Sequence, residues 1–365
     1  FFILIFYKCV FTSLLLECDI DISKDLPAKD PVFITKDGKL YVPTNGTLRF
    51  NKNEENVISC GKKKDFAAGK TKVNIADLEC STSVSGDHES TSEPCGNGGT
   101  IQKIGFETTS FGLVKLYDVC FDMERVNVFY SHHIIYGQTV RKRMADRPTF
   151  KLAGYPPKSR PLDAYKQSTQ LERFKELLQS EAEARKYITK TSFLARGHLN
   201  PDGDGIFKSW QYATYFYLNV APQWQVVNAG NWLRVENIAR KIASQLEDAV
   251  EVYTGTFGVL ELPDKNGKMV KMSLEGNNYI PIPKWYWKIL KYKNMGIAFI
   301  TLNDPFVKES ATLCPNICKK AGFDNEHFDD YSHGFTYCCE VSKLLKAIKF
   351  IPKKAKAKTI LKSNV

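Results

Sequence analysis

One stretch decides the fold: Asn219-Val-Ala-Pro-Gln-Trp224, followed by Gln-Val-Val-Asn228-Ala-Gly-Asn-Trp232-Leu-Arg-Val-Glu236-Asn-Ile-Ala-Arg240. Its second part spaces an amide, an indole, a carboxylate and a guanidinium four residues apart. Each step of four turns a helical side chain by ~40° beyond a full turn, so the four groups share one helix face. Glu236 and Arg240 would equally suit an ordinary salt-bridged helix, where such a pair contributes about 0.2 to 0.5 kcal/mol.

A second motif precedes this stretch, Leu194-Ala195-Arg196-Gly197-His198. Its glycine permits a close backbone approach, and an arginine stands two residues before the histidine. A motif this short also arises by chance, and an ordinary histidine fits it locally. Together with the one-sided series of Asn228, Trp232, Glu236 and Arg240, it favours a catalytic centre.

The flanking sequence predicts a mixed α+β domain. Apolar residues recur at helical spacing after Trp232, and Val252 to Leu262 is typical of a strand. The residues of the helical series are Val235, Ile238, Ile242, Leu246 and Ala249. Another strand is predicted at Val126 to Tyr130, and a charged helix from Leu171 to Tyr187. We therefore expect strands to flank the helix that carries Glu236.

The region before residue 126 alternates short β-favouring pieces with turns. We predict a β-rich accessory region over residues 19–125, packed on a catalytic domain of residues 126–350. A separate glycan- or protein-binding module is the alternative. The Ser-, Thr- and Gly-rich stretch Ser81 to Gly99 is predicted to be an exposed loop.

Eight cysteines follow residue 18, four in the N-terminal third and four near the C-terminus. This grouping predicts two local disulfides in each region, with the pairing left open. A zinc site is the alternative for the last four, but adjacent cysteines fit a tetrahedral ion poorly. The eight are Cys60, Cys80, Cys95, Cys120, Cys314, Cys318, Cys338 and Cys339.

The N-terminus predicts secretion. An apolar stretch from Phe1 to Leu16 is interrupted by Lys8 and is too short for a confident membrane span, so we interpret residues 1–18 as a truncated signal peptide cleaved near Cys18. A glycosylation sequon at Asn45-Gly46-Thr47 fits the same compartment. A cytosolic protein with a buried N-terminal strand is the alternative.

Charge points to a polyanionic partner. The formal net charge is +11 and the isoelectric point about 9.0, which suits nucleic acid, sulfated glycan or anionic membrane, although a solvated basic surface explains it equally well. Arg141 and Arg143 lie in a basic run and are predicted to contact substrate. Residues 351–365 are predicted to form a basic flexible tail that adds affinity for phosphates.

With Pro201-Asp202 added, the two motifs strongly resemble the DNA/RNA non-specific endonucleases, which are ββα-metal nucleases, and in particular the secreted arthropod members. The resemblance is specific over about residues 191–240 and looser over about 126–350. It implies a ββα-metal core with a central antiparallel sheet and flanking helices, and hydrolysis of phosphodiester bonds in DNA, RNA or both. One Mg²⁺ ion is the implied cofactor, with Mn²⁺ or Ca²⁺ as alternatives.

The resemblance also implies a role for each site residue. His198 would be the general base, Asn228 the direct metal ligand, and Glu236 the group that holds a water of the metal shell. Arg196 and Arg240 would stabilise the charge on the pentacovalent phosphorus. Asn219 would orient the site, and Trp232 would pack beneath the metal.

Two further points concern substrate and turnover. Trp224 is the best candidate among the nearby aromatic residues for stacking on a base. Many relatives carry Asp where this chain has Ala195, a change that we expect to tune activity rather than abolish it. The alternative function is a secreted nucleic-acid-binding protein of the same fold with weak or no turnover. Oligomeric state and preference for DNA or RNA stay open.

Overall fold

A computed structural model describes residues 17–51, 56–61, 65–68, 79–137 and 146–365. Most of the predicted signal peptide, together with Arg141 and Arg143, therefore lies outside the described residues. The predicted cleavage point near Cys18 falls inside the first described strand, β1 (Glu17–Asp21). None of the helices in the described ranges is long and apolar enough to span a membrane.

Two small antiparallel sheets form the N-terminal region. The first pairs β1 with β3 (Thr47–Asn51), and the second has the order β2 (Val32–Ile34), β4 (Asn56–Ser59), β5 (Asp65–Ala68). Phe33 lies 5.6 Å, ring centre to ring centre, from Phe207, and buried Asp30 accepts a hydrogen bond from the Ser209 backbone. The region therefore shares a core with the rest of the chain.

A nine-stranded sheet crosses the molecule. Its antiparallel neighbours follow the order β17, β16, β15, β12, β9, β8, β7, β6, and the short β18 pairs parallel to β16. The strands are β6 (Asp87–Cys95), β7 (Gly99–Thr108), β8 (Gly112–Asp122), β9 (Asn127–Tyr136), β12 (Ala249–Val259), β15 (Pro283–Tyr292), β16 (Met295–Leu302), β17 (Thr336–Cys339) and β18 (Thr359–Ile360).

This sheet differs from two predictions. The boundary predicted between residues 125 and 126 falls between β8 and β9, which are hydrogen-bonded neighbours, so the sheet crosses it. The loop predicted over Ser81 to Gly99 contains β6. Because β6 is an edge strand whose side chains are largely exposed, its polar composition does not signal a strand.

Helices and two hairpins complete the fold. Val235 and Ile242 lie buried on one face of α6, as the apolar spacing predicts, whereas Ala249, the last residue of the predicted series, is exposed at the start of β12. The hairpins are β10 (Leu194–His198) with β11 (Val220–Trp224), and β13 (Glu261–Pro263) with β14 (Met269–Lys271). The helices are α1 (Pro161–Ala164), α2 (Gln167–Leu178), α3 (Glu181–Tyr187), α4 (Lys208–Tyr212), α5 (Gln225–Val227), α6 (Leu233–Leu246), α7 (Cys318–Ala321) and α8 (Val341–Ala347).

The sheet separates two apolar cores. Along β15, Tyr286 and Leu290 face the larger core, which holds α6 and the β10–β11 hairpin, whereas Trp285, Trp287 and Ile289 face the smaller one. The smaller core is covered by α8 and the C-terminal segment. Both faces of the central strands are thus buried, which explains the continuous apolar run in β15.

Four disulfides join the eight cysteines in local pairs, as predicted: Cys60–Cys80, Cys95–Cys120, Cys314–Cys339 and Cys318–Cys338. The last two replace the alternative zinc site. The prediction of a flexible C-terminal tail requires correction. Ala355 and Leu361 are fully buried, and β18 hydrogen-bonds to β16, so the segment packs against the sheet.

Candidate active site

The two sequence motifs form one local unit. His198 at the end of β10 pairs with Val220 at the start of β11, and β11 leads through α5 to Asn228. Two antiparallel strands followed by a helix thus bring both motifs into one ββα arrangement. This confirms the predicted fold class.

Gly197 allows this hairpin to pack closely on the central sheet. A Cβ atom at residue 197 would lie 2.5 Å from Oε1 of Gln223 and 2.9 Å from the hydroxyl of Tyr286. Within the described part of the chain, neither the Gln223 amide nor the Tyr286 hydroxyl has a hydrogen-bond partner. Glycine is therefore required here by space, and two polar groups are left available beside it.

His198 lies in an aromatic pocket. Its ring centre is 5.2 Å from that of Phe150 and 4.9 Å from that of Tyr215. Burial lowers the pKa of His198 to about 4; the charge of Arg147 adds to this effect and that of Asp202 opposes it. Its Nε2 has no hydrogen-bond partner among the described residues. The imidazole is therefore neutral at physiological pH and has a nitrogen free to take a proton.

Asn219 fixes the chain beyond His198. Its buried amide accepts a hydrogen bond from the Asn200 backbone N–H at 3.0 Å and donates to the carbonyls of Asn200 and Thr214. All of these contacts are to backbone atoms. Asn219 thus ties together the backbone segments around Asn200 and Thr214, and its orienting role stays a prediction.

Arg196 is held in a cage of aromatic rings. Its guanidinium carbon lies 5.2 to 5.6 Å from the ring centres of Phe150, Tyr165 and Tyr217, and its Nε donates to the Tyr217 hydroxyl at 3.1 Å. Cation–π contacts of this kind fix a guanidinium without neutralising it. Arg196 therefore keeps its full charge for an anion.

Asn228 begins a π-helical turn, Asn228–Trp232, rather than a regular helix. Gly230 departs from helical geometry there, and a Cβ atom on it would lie 2.7 Å from the carbonyl oxygen of His333. The neighbouring Asn231 amide donates to the carbonyls of His327 and Gly334. The C-terminal loop thus holds the turn that carries Asn228. Because this turn is not a regular α-helix, the side-chain alignment predicted from the four-residue spacing does not hold between Asn228 and Trp232.

Glu236 and Arg240 are not paired with each other in the described structure, so the alternative of an ordinary salt-bridged helix does not hold. Arg240 Nη1 instead donates to Oδ1 of buried Asp204 at 3.0 Å, and His133 Nε2 lies 2.9 Å from Oδ2 of the same carboxylate. Burial raises the pKa of Asp204, but the His133 hydrogen bond and the charges of Arg240 and Lys288 outweigh it and hold that pKa well below its usual range. Burial raises the pKa of Glu236 to about 7, with Lys288 and Arg240 opposing.

Lys288 is the residue that sequence reasoning missed. It lies fully buried on β15, donates to Oγ1 of Thr254 at 2.6 Å and to the carbonyl of Leu199 at 3.5 Å, and lies 5.3 Å from the Trp232 ring centre. It therefore touches both the chain just after His198 and the turn just before Glu236. The signal was its position within the apolar run Trp285 to Leu290.

The two tryptophans are both buried. Trp232 packs edge-on against Tyr286, with ring centres 5.3 Å apart, beneath the turn that carries Asn228. Trp224 has no exposed surface and packs against Phe174 and Phe306. The prediction that Trp224 stacks on a base is therefore wrong, because its ring belongs to the core.

The side chains present fit a hard divalent cation. Asn228 offers a half-buried amide oxygen, Glu236 offers a carboxylate, and Gln223 adds an unpaired amide near the hairpin. Across the described ranges, no three His, Cys, Asp or Glu side chains converge as a metal cage. Amide and carboxylate oxygens are the donors that a hard divalent cation prefers.

Comparison with known proteins gives consistent matches. The sequence model of the DNA/RNA non-specific endonucleases matches residues 97–344. A salivary endonuclease of Lutzomyia longipalpis is 35% identical over 362 residues, covering 95% of this chain and 87% of that protein.

Two further relatives extend the comparison. Salivary protein Tsal2A of Glossina morsitans morsitans is 28% identical and covers 95% of both chains. The human mitochondrial nuclease EXOG is 31% identical over 108 residues, which is 28% of each chain. The family match spans well over half of the sequence, and it includes both motifs of the site. The chain belongs to the DNA/RNA non-specific endonuclease family.

Proposed function

We propose that this nuclease is a secreted endonuclease that hydrolyses phosphodiester bonds of DNA, RNA or both with Mg²⁺, using His198 as general base. The observation that carries the proposal is the state of His198: a neutral imidazole whose Nε2 is unpaired within the described structure. The ββα unit supports it by joining this base to Asn228 through a single hairpin.

The reaction follows from the groups present. Nε2 of His198 takes a proton from a water, whose oxygen forms a bond to phosphorus as the bond from phosphorus to the leaving oxygen breaks. Asn228 would hold the divalent cation, with Glu236 behind its water shell. When bound, the cation supplies positive charge against the phosphate and the leaving oxygen. Arg196, fixed by its aromatic cage, would stabilise the added negative charge.

Arg240 has a narrower role than the resemblance implied. Because Asp204 and Asn237 each accept a hydrogen bond from it, two of its nitrogens are engaged inside the protein. We assign Arg240 to lowering the pKa of Glu236 through its positive charge. The exposed part of its guanidinium remains available to a phosphate. We assign Lys288 to positioning the two motifs relative to each other. Its ammonium contacts the carbonyl of Leu199, which follows His198, and the ring of Trp232.

Secretion is supported by three observations. The described residues contain four disulfides, which persist in oxidising compartments. Relatives from sandfly and tsetse carry the word salivary in their names. Asn45 lies exposed in a turn, where its sequon is accessible to glycosylation.

Cleavage assays test the proposal. The purified protein is incubated with plasmid DNA and with RNA, in Mg²⁺, Mn²⁺, Ca²⁺ or EDTA. We expect cleavage with Mg²⁺ and none with EDTA. His198→Ala should lose about 10² to 10⁴ in rate, whereas the exposed His327→Ala should cut normally. Full activity of His198→Ala would reject the assigned base, and retarded but intact nucleic acid in every lane would support the binding protein without turnover.

A further inference from the structure

The C-terminal segment presents a dense positive surface. Between Val341 and Val365 the sequence has eight lysines and no Asp or Glu, and all eight side chains are exposed. We call these lysines the basic tail surface. They are Lys343, Lys346, Lys349, Lys353, Lys354, Lys356, Lys358 and Lys362.

The backbone under this surface is fixed. Ala355 and Ala357 are buried while Lys354, Lys356 and Lys358 beside them are exposed. The following strand β18 pairs with β16. The lysines are thus held in place by packing, so a polyanion that binds them pays little entropy for ordering the chain.

From Lys343 to Lys358, the basic tail surface lies over the smaller core, on the face of the central sheet opposite to the catalytic centre, whereas Lys362 follows Leu361 of the larger core. Leu344, Ile348 and Ala355 pack into the smaller core together with Trp287 of β15. Lys288, the next residue of β15, points the other way, toward Trp232 and the strand of His198. Adjacent residues of one strand face opposite sides, so the two surfaces are separated by the thickness of the sheet.

We propose that the basic tail surface is a second nucleic-acid-binding surface, which holds a segment of a long polymer distinct from the segment at the catalytic centre. The inference rests on the proposed function for the catalytic segment. Duplex DNA has a persistence length of about 150 base pairs, so one short duplex does not bend around the protein to reach both surfaces. A long molecule supplies the second segment, and tethering raises the local concentration of cleavable bonds.

The chemistry of the surface favours a phosphate backbone over a membrane. From Val341 to Asn364 no large apolar side chain is among the exposed ones, so nothing there would anchor in a bilayer. The charges are all lysine, which contacts phosphates as point charges without reading bases. The family acts on nucleic acid, so this polyanion is the one that the protein meets when it works.

The experiment compares two triple variants with equal loss of charge. Lys354→Gln, Lys356→Gln and Lys358→Gln alter the basic tail surface. Lys265→Gln, Lys268→Gln and Lys271→Gln alter three exposed lysines near the β13–β14 hairpin. Cleavage is measured on linear DNA of about 3,000 base pairs, well above the persistence length, and on a duplex of about 20 base pairs, well below it.

We call the variant with Gln at residues 354, 356 and 358 the tail variant, and we expect it to lose about tenfold in kcat/KM on long DNA. Its binding should also depend less on salt: the slope of log affinity against log salt concentration should fall by about 2 to 3 for three lost phosphate contacts. Its activity on the short duplex and the control variant's activity on both substrates should match the parent. Equal losses on both lengths would place the lysines in the catalytic groove and overturn the proposal. A parent that cleaves neither DNA nor RNA of any length would reject the proposed function instead.

A bridging assay adds a readout independent of cleavage. The His198→Ala protein should retain a fluorescent short duplex on a second duplex fixed to beads, and the tail variant in that background should not. Heparin binding is measured in parallel. Weaker heparin binding with unchanged bridging and unchanged long-DNA cleavage would identify a sulfated glycan as the partner and overturn the assignment to nucleic acid.

Discussion

The ammonium of Lys288 lies 5.3 Å from the centre of the Trp232 ring, within the larger core and beneath the turn that carries Asn228. Burial lowers the pKa of this lysine, and the charges of Asp204 and Glu236 oppose that effect. A buried cation between two carboxylates costs desolvation energy, and its retention is consistent with a functional role.

Replacing Lys288 with Met should therefore separate stability from activity. Met fills a similar volume without a charge. Asp204 keeps its partners Arg240 and His133, and Glu236, with its pKa raised to about 7, can remain protonated, so no buried carboxylate is left unpaired. We therefore expect the free energy of unfolding to stay within about 1 kcal/mol of the parent or to rise. The rate should fall by about ten- to a hundredfold, because Glu236 loses its nearest balancing charge. Urea unfolding and initial rates measure the two effects. Lys284→Met, exposed on the same strand, is the control; a large stability loss with normal activity would contradict the positioning role.

The acid limb of the pH profile should depend on the metal concentration. Glu236, with its pKa raised to about 7, is substantially protonated below that pH in the metal-free protein. A bound cation favours the ionised form of Glu236, so a higher Mg²⁺ concentration should move the acid limb of the kcat/KM profile to lower pH. The lower limit is the pKa of His198, about 4.

Rates at limiting and saturating Mg²⁺ between pH 4.5 and 9 test this shift, and Glu236→Gln should abolish it. A limb at the same pH at every Mg²⁺ concentration would count against the role of Glu236. The stability of the metal-free protein supplies a second check. Because native Glu236 holds its proton between its ordinary pKa and about 7, its contribution to the free energy of unfolding should fall as pH rises through that window.

Asp204→Asn should destabilise the protein strongly. The carboxylate accepts hydrogen bonds from both Arg240 and His133 in a buried position, and removing its charge leaves the guanidinium uncompensated. We expect a loss of about 3 to 5 kcal/mol in the free energy of unfolding, measured by urea denaturation. Asp118→Asn, which removes a partly exposed pair with Lys115, should cost less than about 1 kcal/mol. Equal losses in the two variants would refute the buried network.

Ala195→Asp should raise activity. Residue 195 lies opposite Gln223 in the β10–β11 pair, where cross-strand side chains are about 5 Å apart. The new carboxylate would accept a hydrogen bond from the unpaired Gln223 amide and stiffen the hairpin that carries His198. We expect a gain of a few-fold in kcat at saturating Mg²⁺. Ala195→Asn, which lacks the charge, is the matched comparison, and a loss of activity in Ala195→Asp alone would show that added negative charge harms the site.

Several features followed from local pattern. The spacing of Val235, Ile238 and Ile242 predicted α6, and the grouping of cysteines predicted local disulfides, because both depend on residues close in the chain. The motif ending at His198 was recognisable by its glycine. Residue 197 must be glycine because a Cβ atom there would clash with Gln223 on the paired strand. Features that depend on residues close together in the chain can therefore be predicted from the sequence.

Contacts between distant segments decided the rest. In the sequence, the resemblance to a known family named His198, Asn228 and Glu236 as candidates for base, metal ligand and water-holding acid, whereas helical spacing indicated only a shared face for the series that ends at Arg240. Only the tertiary structure paired Arg240 with Asp204, buried Trp224 in the core and set Lys288 beneath Trp232. The physical reason is that burial and charge compensation depend on which elements the sheet brings together across tens of residues, and no local period records that arrangement.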